Sequence, residues 1–160
     1  MRLVLQRVSR AGVSINGGPP RAIGRGYVLL LGVTHEDTTA DADWLAAKIP
    51  GLRLFSDDDG KMNRTLLEIG GEVLVVSQFT LFGSLRKGTR PSFSDAAEAG
   101  VARVLYEHFV NTLTNLLPRP VVTGEFREHM DVELVNDGPV TLILDTAARP
   151  GRSATGAGQP

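Results

Sequence analysis

Alternating and continuous apolar patterns predict several strands in the first part of the chain. In residues 3–8, LVLQRV, side chains 4, 6 and 8 interleave with side chains 3, 5 and 7 as on the two faces of a strand, and Val13 and Ile15 follow after Gly12. This predicts two short strands with a tight connection between them. Residues 27–33 are apolar without alternation, which is typical of a strand that is buried on both faces.

Two segments have the features of helices. In the first, Thr38 or Thr39 caps the amino-terminal end and Pro50 stops the helix. The second is predicted to begin at residues 94–95 and to stop at Pro118, with apolar residues at helical spacing along one face. That predicted face consists of Val101, Val104, Leu105, Phe109, Leu113 and Leu116.

The strongest strand pattern is EVLVVSQFTL at residues 72–81. Shorter strands are predicted at residues 52–55, 121–122, 132–135 and 140–144. The last two are separated by NDGP, in which Asp137-Gly138 between β-branched runs predicts a hairpin turn. Pro139 has no N–H and stands where the returning strand begins, so this turn has an unusual residue at a ladder position.

The order of these elements predicts a single α/β domain over residues 1–146. We expect a mixed, largely antiparallel sheet that curls into a partly open barrel, with two main helices packed against it. Residues 147–160 are rich in Gly, Ala and Pro and lack apolar periodicity. They are therefore predicted to form a disordered tail.

Composition limits the possible classes of function. The 160 residues include 42% hydrophobic and 22% charged side chains, as in an ordinary globular domain. The net charge of −1 gives no general basic field for nucleic acid. There is no cysteine, which excludes disulfides, thiolate metal sites and cysteine nucleophiles. No signal peptide or membrane span is apparent, so we expect a soluble, cytoplasmic protein without a membrane partner.

Common cofactor and metal motifs are also missing from the sequence. Gly24-Arg25-Gly26 is not followed by a helix pattern, so it is not a dinucleotide fingerprint. His35, His108 and His129 lack the spacing of metal ligands. We therefore expect neither a metal nor a cofactor.

Polar residues interrupt the apolar strand at its end, in the sequence Ser77-Gln78-Phe79-Thr80. Strand alternation places Gln78 and Thr80 on one face, with Ser77 and Phe79 on the other. Two interpretations remain open. The strand end emerges into solvent, or these residues belong to a functional site, because such sites gather at strand ends and in adjoining loops.

A basic loop follows this strand end. Arg86, Lys87 and Arg90 lie in a glycine-containing segment between Phe82 and Phe93. Such a loop is either a solvated surface or, beside a polar strand end, a receptor for phosphate groups.

Three motifs in this order resemble the D-aminoacyl-tRNA deacylases, also called the D-tyrosyl-tRNA deacylase family. They are SQFTL at residues 77–81, RKGTRPSFSDA at residues 86–96 and NDGPVT at residues 136–141. The resemblance covers about residues 1–146. It departs from the family at Gly83-Ser84-Leu85, where many relatives carry an acidic residue.

The resemblance implies a homodimer that hydrolyses the ester of D-aminoacyl-tRNA, and of glycine mischarged on tRNA, with active sites at the interface. It assigns Gln78, Phe79 and Thr80 to catalysis and Ser77 and Met130 to the pocket. Gly138 and Pro139, joined by a cis bond, reach the pocket of the other subunit, and Arg7 orients them. Arg86, Lys87 and Arg90 are the candidates for tRNA contact. The expected partner is the acceptor end of aminoacyl-tRNA, not DNA.

The resemblance also implies how the reaction proceeds. The terminal 2′-hydroxyl of the tRNA assists hydrolysis, and backbone N–H groups near Phe79 and Thr80 orient water or stabilise charge. A rigid Gly-Pro wall rejects L-aminoacyl groups sterically. Such a wall cannot exclude glycine, which has no side chain.

Two other functions stay open on the residues alone. One is a non-catalytic tRNA-binding module that uses the basic loop. The other is a small-molecule esterase or amidase that uses Thr80 or Ser77 as nucleophile. Such a nucleophile needs an adjacent base, and His129 is the histidine least excluded from that role.

Overall fold

The computed structural model describes residues 1–151, which form a curled sheet covered by two helices. In chain order the elements are β1 (Arg2–Ile15), β2 (Arg21–Ile23), β3 (Gly26–Gly32), α1 (Thr39–Lys48), β4 (Phe55–Ser56), β5 (Met62–Arg64), β6 (Glu72–Ser77), α2 (Ala99–Leu116), β7 (Val122–Thr123) and β8 (Met130–Asp145). Short 3-10 helices occur at Ile49–Gly51, Phe79–Phe82 and Thr146–Ala148.

Strand β1 organises the main sheet. It pairs antiparallel with β3 and β2 on one side and with β8 on the other. Strands β3, β6 and β7 pair in parallel, and the two crossovers that this requires contain α1 and α2. Strands β4 and β5 form a separate small sheet. The predicted fold, a mixed sheet curled like a barrel with two main helices against it, is confirmed.

Apolar residues are buried on both faces of the sheet. The larger core lies between the sheet and the helices, and the smaller one lies on the opposite face. Along β6, Val73 and Val75 belong to the first core while Leu74 and Val76 belong to the second. The continuous apolar pattern of this strand therefore has a direct cause, because each of its faces is covered.

The helices follow the predictions in part. Thr38 caps α1, and its N–H donates to the Asp41 carboxylate at 2.9 Å in a capping box. Helix α2 begins at Ala99, later than predicted. Its buried face includes Leu105, Phe109 and Leu113 as expected, together with Ala102 and Tyr106. The prediction was wrong for Val101, Val104 and Leu116, which are 50%, 63% and 44% exposed.

Strand β1 is continuous, so the predicted pair of short strands was wrong. Gly12 does not break it because the backbone remains paired on both sides, with Ala22 of β2 and Glu133 of β8. Tertiary pairing therefore overrides the local weakness of a glycine in a strand.

The predicted hairpin at residues 136–139 is also wrong. Strand β8 runs along β1 without reversing direction. Gln6 pairs with Thr141 and Val8 pairs with Asn136, so residues 137–140 of β8 face Arg7 alone. These residues form an irregular bulge, which we call the β8 bulge (residues 137–140).

The chain after β8 remains attached to the domain. Asp145 accepts a hydrogen bond from Ala147 N, and Arg149 Nε lies 3.0 Å from the Asp41 carboxylate. Ala147, the expected start of the tail, lies within the short helix Thr146–Ala148. The remainder of the predicted tail, residues 152–160, lies outside the described residues.

Candidate active site

The polar sequence SQFT does not continue β6 as a strand. The strand stops at Ser77, and Phe79–Phe82 form a turn of 3-10 helix. The predicted alternation of Gln78 and Thr80 against Phe79 was therefore wrong. Gly32 allows the turn to pack closely against β3, because a Cβ there would lie 3.0 Å from the Gln78 carbonyl oxygen and 3.2 Å from Leu81 Cβ.

This turn leaves two backbone donors at the end of β6. Gln78 N donates to the Leu31 carbonyl at 2.8 Å, and Leu81 N donates to the Gln78 carbonyl at 3.3 Å. Between them, the N–H groups of Phe79 and Thr80 have no acceptor among the described residues. Unpaired N–H groups at the first turn of a helix are electron-poor and suited to an oxygen ligand. The Gln78 side-chain amide contacts the Thr80 hydroxyl.

A cleft of about 600 Å³ opens beside this turn. It brings together four predicted site residues, Ser77, Gln78, Phe79 and Met130. Thr80 adjoins the cleft through its contact with Gln78. The remaining lining is mostly apolar and comes from β3, the segment before α2, α2 itself and the segment before β8. Such a lining excludes water from most of a small ligand and leaves a few polar groups to orient it.

Three aromatic residues of the cleft were missed by sequence reasoning. Phe93 packs edge-on against Phe79 with ring centroids 5.0 Å apart, and Tyr106 lies 6.0 Å from Phe126. Tyr106 also donates its hydroxyl to the Val75 carbonyl at 3.0 Å, and burial raises the pKa of this hydroxyl well above its usual range. Tyr106 occurs at core spacing in α2, so its sequence position does not distinguish a cleft residue from an ordinary core residue.

Arg7, Gly138 and Pro139 lie together, but they do not line this cleft. Arg7 is buried and donates through Nε to the Asp137 carbonyl oxygen at 3.1 Å. Its other end contacts the Leu54 carbonyl. Gly138 and Pro139 are exposed at the tip of the β8 bulge, and the peptide bond between them is cis. Within one chain the predicted site residues therefore form two separate groups.

The predicted tRNA-contact residues form an exposed basic loop. Ser84 and Ser92 pair across its base, with N···O distances of 2.8 and 2.9 Å. Arg86, Lys87 and Arg90 are exposed, and none forms an ion pair with another described residue. The base of the loop is tied to the cleft, because Phe93 follows Ser92 directly and packs on Phe79.

The sequence model of the D-Tyr-tRNA(Tyr) deacylase family matches residues 4–145, nearly all of the described chain. The chain belongs to this family. The family suggested by the three short motifs is thus confirmed, and so is the expected class of enzyme, a hydrolase that acts on ester bonds.

Relatives agree with this assignment over almost their whole length. A D-aminoacyl-tRNA deacylase of Opitutus terrae is 56% identical over 93% of this chain and 99% of the relative. A second D-aminoacyl-tRNA deacylase, of Thermomicrobium roseum, is 55% identical over 96% of this chain and 99% of the relative. Among solved structures, the c-Myc DNA Unwinding Element Binding Protein is 38% identical with a TM-score of 0.84, covering 91% of this chain and 98% of the other. A probable eukaryotic D-amino acid tRNA deacylase, 17% identical with a TM-score of 0.74 over 89% and 97%, supports the fold alone.

The described residues offer a deacylase no catalytic triad. His35 contacts the Ser94 carbonyl at 2.8 Å, and His108 contacts Asp43 at 2.7 Å. His129 lines the cleft but lies 3.5 Å from Asp131. Neither Ser77 nor Thr80 hydrogen-bonds to a histidine or carboxylate. No group of three metal-ligating side chains occurs in residues 1–151, and no described helix has the length and apolar character of a membrane span.

Proposed function

We propose that this chain hydrolyses the ester that joins a D-amino acid to the 3′-terminal ribose of tRNA, releasing free amino acid and tRNA. One observation carries the proposal. At the end of β6, the unpaired N–H groups of Phe79 and Thr80 adjoin a largely apolar cleft, in a chain that matches a deacylase family from residue 4 to residue 145.

The chemistry follows from what this end of β6 offers. Ester hydrolysis needs an attacking water, a proton acceptor and stabilisation of the oxyanion. The N–H groups of Phe79 and Thr80 supply the stabilisation, and Gln78 holds the Thr80 hydroxyl in place. Among the described residues, no histidine or carboxylate hydrogen-bonds to Ser77 or Thr80, which favours assistance to proton transfer by the substrate itself. The terminal 2′-hydroxyl next to the ester relays the proton: it takes one from the attacking water while it gives its own to the departing 3′-oxygen. The protein then contributes mainly orientation and electrostatics.

Selectivity is assigned to the tip of the β8 bulge. Gly138 and Pro139 are exposed there and lie away from the cleft of their own chain, which supports their use in the cleft of a second subunit. Arg7 anchors the bulge through its contacts with the carbonyl oxygen and the carboxylate of Asp137. A wall of backbone and proline ring cannot yield to a side chain, so it rejects L-aminoacyl groups. Glycine passes this wall and is a substrate too.

A homodimer is supported by the exposed edge of β8. Among the described strands, β8 pairs with β1 alone, and it extends over 16 residues. Val135, Leu142 and Ile143 on it are 38%, 37% and 69% exposed. A long edge strand with exposed apolar residues is a site for pairing with another chain. In the proposed dimer a second copy pairs with this edge, and each Gly138-Pro139 tip enters the cleft of the other subunit.

The acceptor end of tRNA is assigned to the side of the cleft that carries the basic loop. Arg86, Lys87 and Arg90 have no carboxylate partners among the described residues and are free to bind phosphates. Met130 lines the cleft that receives the ester. We assign the enzyme to the cytoplasm, where aminoacyl-tRNA is made and used.

The decisive experiment compares matched D-, L- and glycyl-tRNA as substrates. We expect rapid ester loss from D-aminoacyl- and glycyl-tRNA and little from L-aminoacyl-tRNA. Equal rates for the D and L forms would overturn the selectivity proposal. Salt-dependent binding without ester loss would indicate the tRNA-binding module, and rapid cleavage of a D-aminoacyl ester of a simple alcohol would indicate the small-molecule esterase.

A further inference from the structure

The segment 124–131 forms one rim of the cleft. Arg127, Glu128 and His129 line the opening, while Met130 lies deeper and is partly buried. The segment is held by Asn16, whose backbone N–H donates to the His129 carbonyl at 3.0 Å. This rim therefore has a defined shape, and its charged side chains are exposed beside the cleft.

The carboxylates of this rim are already engaged. Their contacts are Glu125 with Arg21 at 3.6 Å, Glu128 with the Asn16 side-chain amide at 2.8 Å, and Asp131 with His129 at 3.5 Å. Arg127 is exposed and forms no ion pair with a described residue. Among the described side chains that line the cleft, it is also the one that carries a permanent positive charge.

Arg127 lies on this rim in an unusual backbone conformation. Arg127 has φ = +70°, a left-handed conformation that non-glycine residues rarely adopt. The turn is closed by a hydrogen bond from Glu128 N to the Glu125 carbonyl at 3.3 Å. An unfavourable backbone conformation persists where the surroundings enforce it. Here the residue that adopts it is Arg127, which also lines the cleft.

We propose that Arg127 binds the phosphodiester that links the terminal nucleoside of the substrate to the rest of the acceptor strand. The inference rests on the proposed function, because it requires the terminal ribose ester to occupy the cleft. The strand then leaves through the opening and carries one negative charge per nucleotide. Guanidinium groups bind phosphate oxygens through paired N–H donors, so Arg127 fits this first phosphate in both charge and geometry.

Comparing the rates on two substrates distinguishes phosphate binding by Arg127 from a contribution of Arg127 to the fold. D-Aminoacyl-tRNA contains the phosphodiester, whereas the D-aminoacyl ester of adenosine contains the same reacting atoms and no phosphate. For Arg127→Ala we expect kcat/KM on the tRNA substrate to fall about tenfold, through KM, as for loss of one charge-assisted contact made in both the ground and transition states. The rate on the adenosine ester stays within about twofold of the wild type. Arg127→Lys restores part of the lost kcat/KM.

Salt dependence and a charge control sharpen the result. Loss of one phosphate contact on a single strand should make the slope of log(kcat/KM) against log[salt] less negative by about 0.7. Lys61→Ala removes an exposed cation from the β4–β5 sheet region and should leave kcat/KM unchanged on both substrates. Equal losses on both esters, or no loss on either, would overturn the assignment of Arg127 to phosphate.

A binding measurement keeps this test separate from the proposed function. The trinucleotide CpCpA contains the phosphodiester but no aminoacyl ester, so its affinity does not depend on hydrolysis. Arg127→Ala should weaken CpCpA several-fold and leave adenosine unchanged. If the wild type hydrolyses no D-aminoacyl-tRNA, the proposed function fails, and an unchanged CpCpA affinity would separately refute the role of Arg127.

Discussion

The Arg7 guanidinium is anchored to Asp137 through both its backbone and its side chain. Arg7 Nε lies 3.1 Å from the Asp137 carbonyl oxygen and 3.2 Å from its carboxylate. The other end of the guanidinium contacts the Leu54 carbonyl. One buried side chain in β1 therefore joins the β8 bulge to the segment before β4.

Arg7→Lys should loosen the β8 bulge, because an ammonium group cannot make these contacts in the same fixed plane. We expect a loss of about 1–3 kcal/mol in the free energy of unfolding, typical of a disrupted buried charged contact. Discrimination between D- and L-aminoacyl-tRNA should fall with it. Urea unfolding and the ratio of the two ester-loss rates measure both effects. Arg10→Lys, at an exposed position of the same strand, is the control and should change neither.

Gly138→Ala should displace the tip of the bulge. Gly138 has φ = +126°, and a Cβ there would lie 2.9 Å from both Arg7 Nη2 and Val140 Cγ2. The backbone alone costs about 1–3 kcal/mol for a residue with a Cβ. Gly100→Ala in helix α2 is the matched control. A Cβ added there would meet no atom within 4 Å apart from its own helix backbone. This substitution should instead stabilise by about 0.4–1 kcal/mol. If Gly138→Ala kept the free energy of unfolding and the D/L rate ratio of the wild type, the bulge would not act as a rigid wall.

The β8 bulge illustrates what sequence patterns could and could not predict. The two β-branched runs were located correctly, and both lie in β8. The Asp-Gly signal wrongly predicted a reversal, because turn propensity is local while β1 extends past the bulge on both sides. A partner strand that continues on both sides keeps the chain direction. That partner begins more than 100 residues away, beyond the reach of a local pattern.

The end of β6 shows the same limit at the candidate site. Polar residues in an apolar run pointed to residues 77–80, where β6 ends and the cleft opens. Their predicted geometry was wrong, because the chain leaves the strand after Ser77 and packs closely against Gly32, a residue of another strand. Phe93 and Phe126 were missed because aromatic residues in loops are common, and only the fold shows that they meet this turn. The local sequence showed that residues 77–80 are polar, whereas the orientation of their side chains depends on tertiary contacts.

Ile143→Asp should shift the proposed dimer toward monomer. Ile143 is 69% exposed on the edge of β8, so a carboxylate there costs a single chain little. In a dimer that covers this edge, the same carboxylate loses its hydration without gaining a partner. Val104→Asp is a matched control on α2, where Val104 is 63% exposed. Sedimentation over a range of concentrations should show a weaker dimer for Ile143→Asp alone. Equal effects, or none, would place the interface elsewhere.

Glu72 should contribute to the acid sensitivity of the fold. Its pKa is lowered, first by the hydrogen bond from Gly24 N and further by Arg119, while partial burial opposes the shift. A lowered folded-state pKa stabilises the protein above the unfolded pKa of about 4.3, and this contribution is lost as pH falls through the folded value. Glu72→Gln should therefore be less stable than the wild type at pH 7, and the difference should shrink below about pH 4. Glu107→Gln, at a more exposed ion pair, is the control for urea unfolding at both pH values.

Thr80→Ala tests whether the protein or the substrate supplies the hydroxyl that matters. The Thr80 side chain is exposed and its one described side-chain partner is Gln78, so its removal should leave the turn folded. We expect ester loss from D-aminoacyl-tRNA within about tenfold of the wild type, less than the loss of a general base or acid would cause. A substrate with a 2′-deoxy terminal ribose should react about 10²–10⁴-fold more slowly, because it lacks the hydroxyl that is proposed to relay the proton. Ser77→Ala controls for the second hydroxyl at this strand end. If a folded Thr80→Ala loses as much activity as the 2′-deoxy substrate, Thr80 acts chemically and the substrate-assisted mechanism is wrong.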